Sequence, residues 1–161
     1  PIVIYPGAAP GLHIVYLAKL FPNIEFHLYD MSRYDINLRE DNIRPKNITL
    51  YQQLFLDEES QYWAKKAKEG IDIYLVSDIR ALTGSEKTLE QAENVIHIDN
   101  ILQYKWIEEI RPVSAIIKWR VPFTFGESPL LLATAELFMM RLFLICVLGP
   151  HIDTNIPPPP E

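Results

Sequence analysis

An α/β fold with a mostly parallel, doubly wound sheet is what this 161-residue sequence predicts. Three observations carry the prediction. Short apolar runs alternate with amphipathic segments along the chain, the pattern of strands linked by crossover helices. The run Ile71 to Val76 is almost continuously apolar, as befits a strand covered on both faces. The first run, Ile2 to Tyr5, breaks into a small-residue turn, Pro6-Gly7-Ala8-Ala9-Pro10-Gly11, which feeds an amphipathic segment. Strand, glycine turn and helix in that order build a nucleoside-binding edge, because glycine lets a backbone approach a ligand without a Cβ in the way.

The elements follow in order. Ile14 to Phe21 reads as the first helix and Ile24 to Tyr29 as the second strand. That strand ends on Asp30, where a carboxylate can grip ribose hydroxyls. Residues 31–46 set Arg33, Arg39, Arg44 and Lys46 among Asp, Asn and Pro, and read as a polar, partly helical loop. Asn47 to Phe55 is a third strand with an apolar end at Leu54-Phe55-Leu56. Asp57-Glu58-Glu59 open the next helix, Lys65, Lys66 and Lys68 close it, and Gly70 stops it. Acids at the start and bases at the end suit the helix dipole, and glycine is a common C-terminal stop.

The 71–76 strand ends in Ser77-Asp78, and Thr83 to Lys87 is a polar turn. Thr88 to Ile110 is a long helix, with Leu89, Ala92, Val95, Ile96, Leu102, Trp106 and Ile110 at helical spacing. Pro112 to Ile117 is the next strand, running into Lys118-Trp119-Arg120. Pro122 to Pro129 is a loop, and Leu130 to Leu148 is so apolar that periodicity does not separate helix from strand. One domain over residues 1–150 is expected, with a Pro-rich tail at 151–161. The chain opens on a core strand without an initiator Met, so an N-terminal portion is expected to precede Pro1.

Net charge is -6. Nucleic-acid binders are more often basic, so an RNA role would rest on a local patch drawn from Arg33, Arg39, Arg44, Lys46, Arg80, Lys87 and Arg120. A single cysteine, Cys146, excludes an internal disulfide and fits a reducing compartment. Its apolar neighbours mark a structural thiol. The most apolar stretch, Leu137 to Leu148, is broken by Arg141 and falls short of the ~20 residues of a membrane span. A soluble intracellular protein is expected.

The glycine turn is no P-loop, since no Gly-Lys-Ser/Thr follows. Gly7 and Gly11 lack the third glycine of a dinucleotide fingerprint, and Pro10 removes a donor that a pyrophosphate needs. A nucleoside without phosphates remains, S-adenosylmethionine being the common one, beside the plain alternative of a tight turn without a ligand. In an open parallel sheet, ligands sit at the carboxyl ends of the strands. Those ends carry Tyr5 to Gly7, Asp30, Leu54 to Leu56, Ser77-Asp78 and Lys118. Alone, Asp78 reads as a helix cap, Lys118 as a solvated strand end, and Trp63, Trp106 and Trp119 as packing residues. The conjunction of two acids, an apolar slot and a lysine on one edge is what points to chemistry.

Three segments carry a family resemblance: Tyr5-Pro6-Gly7-Ala8-Ala9-Pro10-Gly11-Leu12-His13-Ile14-Val15-Tyr16-Leu17, Leu75-Val76-Ser77-Asp78-Ile79-Arg80, and Pro112 to Phe123. In matching order, over residues 2–123, they resemble the poxvirus cap-specific mRNA 2'-O-methyltransferases that double as small, processivity subunits of the viral poly(A) polymerase. More broadly the chain is similar to the FtsJ/RrmJ-type RNA ribose methyltransferases. The resemblance implies a Rossmann-like class I methyltransferase fold, S-adenosyl-L-methionine as cofactor, and capped mRNA 5' ends as substrate. It also implies a poly(A) polymerase or other transcription subunit as partner, and the host cytoplasm or virion as location. The alternative it implies is a catalytically inactive processivity factor or scaffold.

The family's Lys-Asp-Lys-Glu tetrad maps onto Asp78, Lys118 and Glu136, with Glu127 as the alternative glutamate and the first lysine upstream of Pro1. The interval from Lys118 to Glu136 is shorter than the family pattern. Cofactor positions map onto Tyr5, Gly7, Pro10, Gly11, His13, Asp30 and Arg33, with Phe55 and Leu56 near the adenine and Asp78 near the methionine end.

Overall fold

The computed structural model describes residues 1–41, 43–81 and 88–119. Glu127, Glu136, Cys146, Lys87, Arg120, the 83–87 turn, the 130–148 segment and the tail lie outside the described residues. Within them, five strands alternate with four helices. The strands are β1 (Ile2–Pro6), β2 (Glu25–Tyr29), β3 (Ile48–Tyr51), β4 (Ile73–Ser77) and β5 (Ser114–Ile117). The helices are α1 (Leu12–Leu20), α2 (Ile36–Arg39), α3 (Asp57–Lys68) and α4 (Leu89–Ile110). Every pairing is parallel, in the order β3-β2-β1-β4-β5. This is the α/β, Rossmann-like architecture the alternation predicts.

Alternation along the strands divides the core in two. Ile4, Ile73, Leu75 and Ala115 face Trp63 of α3 and Trp106, Ile107 and Ile110 of α4. Tyr5, Phe26, Leu28 and Ile48 pack with Ile14 and Ala18 of α1 and with Leu38 of α2. Parallel crossovers are right-handed, so a chain that steps outward from β1 to β2 and β3, then back past β1 to β4, lays its helices on opposite faces. Each large side chain buried this way contributes roughly 1.5–3 kcal/mol relative to exposure. Trp63 and Trp106 are core residues, as expected, and Trp119 packs against the same cluster.

Element ends depart from the expected ones for local reasons. α1 starts at Leu12, because Gly11 in the left-handed region (φ 74°) already caps it. β3 stops at Tyr51 instead of Phe55. Beyond it the Gln52 amide turns back to donate to the carbonyls of Met31 and Ser32, at 2.6 and 2.7 Å. Phe55 then drops into the core, edge-on to Tyr29 and Trp106 at 4.9 Å each. Asn47, expected to open that strand, instead points its amide at the C-terminal end of α1, reaching the carbonyls of Ala18, Phe21 and Ile24 at 3.1, 3.2 and 2.8 Å. Thr88 is the N-cap of α4, its hydroxyl accepting from the Gln91 amide at 3.2 Å. Among the described residues, no helix is long and apolar enough to cross a membrane.

Candidate active site

The helices leave β1 and β4 toward opposite faces, so the crevice between these two strands is the topological switch point of the sheet. The carboxyl ends meeting there carry Gly7, Asp30, Asp78 and Lys118. Gly7 holds φ 77° and donates its N–H to the Tyr29 carbonyl at 2.8 Å. A Cβ on it would lie 2.7 Å from the backbone of Asp78 and Ile79. A Cβ on Gly11 would lie 2.6 Å from the Leu38 side chain. The space these glycines leave open is therefore filled by the protein itself: the turn presses against the end of β4 on one side and against α2 on the other.

The rest of the turn is held by hydrogen bonds. The Asp35 amide donates to the Pro10 carbonyl at 3.0 Å, and the Ala9–Pro10 peptide is cis. Pro10 and His13 are exposed, and the His13 ring lies 6.0 Å from that of Tyr5. Asp30 ties this turn to the end of β2. One carboxylate oxygen accepts from the Ala9 amide at 3.0 Å and the other from the Ser32 amide at 2.7 Å. Each oxygen keeps a lone pair for a hydroxyl. Gln52 braces the same loop from β3. Arg33 is exposed beside it. Of the two residues expected around an adenine, Leu56 is exposed at the N-cap of α3, whereas Phe55 is buried and turned into the core.

Across the crevice, Asp78 and Lys118 form an ion pair at 2.6 Å. Their side chains are 42% and 29% exposed, so a substrate can reach both. Asp78 is thus no helix cap, and Lys118 is no free strand end. Parallel pairing sets the geometry: Ser77 pairs with Ile117, the Lys118 amide donates to the Ser77 carbonyl at 2.9 Å, and the Asp78 amide donates to the Pro6 carbonyl at 3.1 Å. Arg80 lies 3.6 Å from the same Asp78 oxygen. Burial, reinforced by the charge of Asp78, pushes the Tyr5 phenol above its ordinary value. Burial, reinforced by Asp30, does the same to Tyr34. Both phenols stay protonated at neutral pH, so the negative charge of the site lies on its carboxylates.

Two residues of α4 complete this side, and sequence reading passed over them. Asp99 is 4% exposed, and its carboxylate accepts from the Ala81 amide at 3.1 Å. Gln103 is fully buried and donates to the Lys118 carbonyl at 3.2 Å. The available signal was a pair of polar side chains four apart on a face otherwise given to Ile96, Trp106 and Ile110. The expected basic patch is smaller than the sequence suggests. Arg39 donates to the Tyr34 carbonyl, and Arg44 to the Leu38 carbonyl and to Asp41, so both serve the 34–44 loop. Arg33, Lys46 and Arg80 remain exposed. Among the described residues no group of three His, Cys, Asp or Glu could hold a metal ion. The edge offers carboxylates with spare lone pairs on one side and a lysine fixed by a carboxylate on the other, a set suited to sugar hydroxyls and a cation.

Comparison with known proteins identifies the family. A family model described as poly A polymerase regulatory subunit matches residues 1–126. A cap-specific mRNA (nucleoside-2'-O-)-methyltransferase of fowlpox virus (strain NVSL) is 31% identical over 127 residues, covering 76% of this chain and 38% of that protein. A protein of the same name from myxoma virus (strain Lausanne) is 29% identical over 126 residues, covering 75% of this chain and 35% of its own length. The chain thus spans little more than a third of the relatives it matches.

Proposed function

From the premise that the chain belongs to the poly(A) polymerase regulatory-subunit family, we propose that it methylates a ribose 2'-hydroxyl of RNA, at the cap-proximal nucleotide of mRNA, using S-adenosylmethionine. The observation that carries the proposal is the Asp78–Lys118 pair, set at the switch point opposite an Asp30-braced glycine turn. The donor set fits this cofactor. Asp30 keeps lone pairs for ribose hydroxyls, Leu56 offers exposed apolar surface, and the Asp78 carboxylate suits a neighbouring cation. No ring of backbone N–H donors competes for a phosphate, since Pro10 has none.

A ribose hydroxyl is a poor nucleophile; a lysine with a fixed orientation can hold its oxygen by donating to it, and can take its proton only after first losing one of its own. Asp78 fixes Lys118 by a charge-assisted hydrogen bond. Bound S-adenosylmethionine would supply an electrophilic methyl on a positive sulfonium. What the protein adds is alignment of the hydroxyl for in-line attack. Glu136, or Glu127, is proposed as a further carboxylate beside the lysine.

The family description supports a second reading, a methyltransferase-fold subunit that serves a viral polymerase as processivity factor without catalysing. The test is transfer of labelled methyl to capped and uncapped RNA by the full-length protein. Labelling of capped RNA that is lost in Lys118→Ala is expected. Cofactor binding without transfer, combined with stimulated poly(A) elongation, would leave the scaffold reading.

A further inference from the structure

Asp99 and Gln103 present a puzzle of composition. They sit one turn apart on the buried face of α4, among Ile96, Trp106 and Ile107. A carboxylate and an amide there are costly, since a buried polar group without full hydrogen bonding destabilises the fold. Gln103 shows the cost directly: its Oε1 has no hydrogen-bond partner. A leucine of similar volume would carry no unpaired Oε1, but it would leave the Lys118 carbonyl without the Gln103 amide. Both side chains instead spend their donors and acceptors on the two segments that bear the ion pair. Asp99 holds the Ala81 amide, three residues beyond Asp78, and Gln103 holds the carbonyl of Lys118 itself. Gln103 also donates to the Asp99 carbonyl at 3.2 Å, so the two straps share one turn of helix.

We propose that Asp99 and Gln103 are positioning residues, fixing from within α4 the backbone segments that present Asp78 and Lys118 to the crevice. The proposal rests on the methyl-transfer reading for its kinetic consequence but not for its geometry. An error of about 1 Å in the placement of a reacting group can cost up to about 100-fold in rate. Loss of one of two straps should therefore lower kcat by about 10-fold while leaving the KM for cofactor and RNA within about 2-fold.

Gln103→Leu is the sharper variant, because it removes the strap and the unpaired Oε1 together. Its melting temperature should change little, the donor lost to the Lys118 carbonyl being offset by removal of the unpaired Oε1, while its kcat falls. A residue with a merely structural role would move both the same way. Asp99→Ala should lower kcat as well, and Asp99→Asn, which keeps a carbonyl oxygen for the Ala81 amide, should restore most of it. The companion measurement needs no substrate: the 13Cε resonance of Lys118 in full-length, lysine-labelled protein, assigned through Lys118→Ala. That resonance should shift in Gln103→Leu and Asp99→Ala and return in Asp99→Asn.

Unchanged kcat together with an unmoved Lys118 resonance in Gln103→Leu would overturn the proposal, whatever Asp99→Ala does to folding. If wild-type protein transfers no methyl, the methyl-transfer reading fails. The Lys118 resonance still decides the positioning role, a moved signal supporting it and an unmoved one refuting it.

Discussion

Gly7 and Gly70 both occupy the left-handed region, at φ 77° and 89°, yet their surroundings differ completely. Alanine at Gly70 would meet nothing within 4 Å, so its cost is conformational alone, about 1–2 kcal/mol. Alanine at Gly7 carries the same cost and also drives a Cβ to 2.7 Å from the Asp78 carbonyl group and the Ile79 nitrogen. Those are backbone atoms, unable to swing away as a side-chain tip does. Overpacking of this kind costs roughly 1–3 kcal/mol further. Urea denaturation of the two variants should therefore separate them by about 1–3 kcal/mol, with Gly7→Ala the less stable. Relief of the clash must come from parting the turn and the end of β4, so Gly7→Ala should also weaken cofactor binding by calorimetry while Gly70→Ala leaves it intact. Equal stabilities and equal cofactor affinities would refute the close contact between the turn and Asp78.

Lys118→Ala should abolish methyl transfer to capped RNA yet leave the cofactor dissociation constant within a few-fold; retained activity in a radiolabel assay would count against the assigned role. Asp30→Ala frees the amides of Ala9 and Ser32. It should weaken cofactor binding at least 10-fold, about 1.4 kcal/mol or more, as read by calorimetry. Asn47→Ala removes the amide that the carbonyls of Ala18, Phe21 and Ile24 share, of which Phe21 keeps the Ile24 N–H, and should cost about 1–3 kcal/mol in a denaturant titration. His27 has its proton affinity lowered by burial, only partly opposed by Glu25. The unfolded chain then binds the proton more readily than the folded one, so stability contributed by neutral His27 falls as pH drops below about 6.5. His27→Gln should show a shallower loss of stability between about pH 7 and 5, and an unchanged pH profile would exclude His27 as a source.

What the sequence carried best was whatever depends on period and punctuation. Apolar runs, the dipole-matched charges of α3 and the Gly70 stop fix where elements lie, because these are local properties. The two acids and the lysine at strand ends were also legible, since a parallel sheet collects all carboxyl ends on one edge. Contacts that join distant segments were not. Nothing local in Gln52 says that it will hold the carbonyls of Met31 and Ser32, and this is why β3 ends four residues early. Nothing in Phe55 separates an adenine wall from a core ring, because both need an aromatic side chain. Arg39 and Arg44 read as candidates for a basic patch, yet their guanidinium groups close a loop. Nor does anything local show that the end of β4 presses on Gly7 and the Leu38 side chain on Gly11.

The strand order has a kinetic and cooperative consequence. β1 is flanked by β2, which follows it closely in sequence, and by β4, which follows much later: Ile2 pairs with Glu25 on one side and with Ile73 on the other. Asp30 belongs to the side of the sheet that is near β1 in sequence, Asp78 and Lys118 to the distant one. The seam between β1 and β4 closes only when distant chain segments meet, so it carries the larger loop-closure cost of the two flanks of β1. A ligand that touches both banks binds only the closed seam and adds its binding free energy to the cost of opening. Amide exchange at Ile2 and Asp78, whose N–H groups bridge that seam to Asp72 and Pro6, would then slow on ligand addition more than exchange across the β2–β3 ladder. Occupancy of the crevice becomes a fastener for the sheet itself.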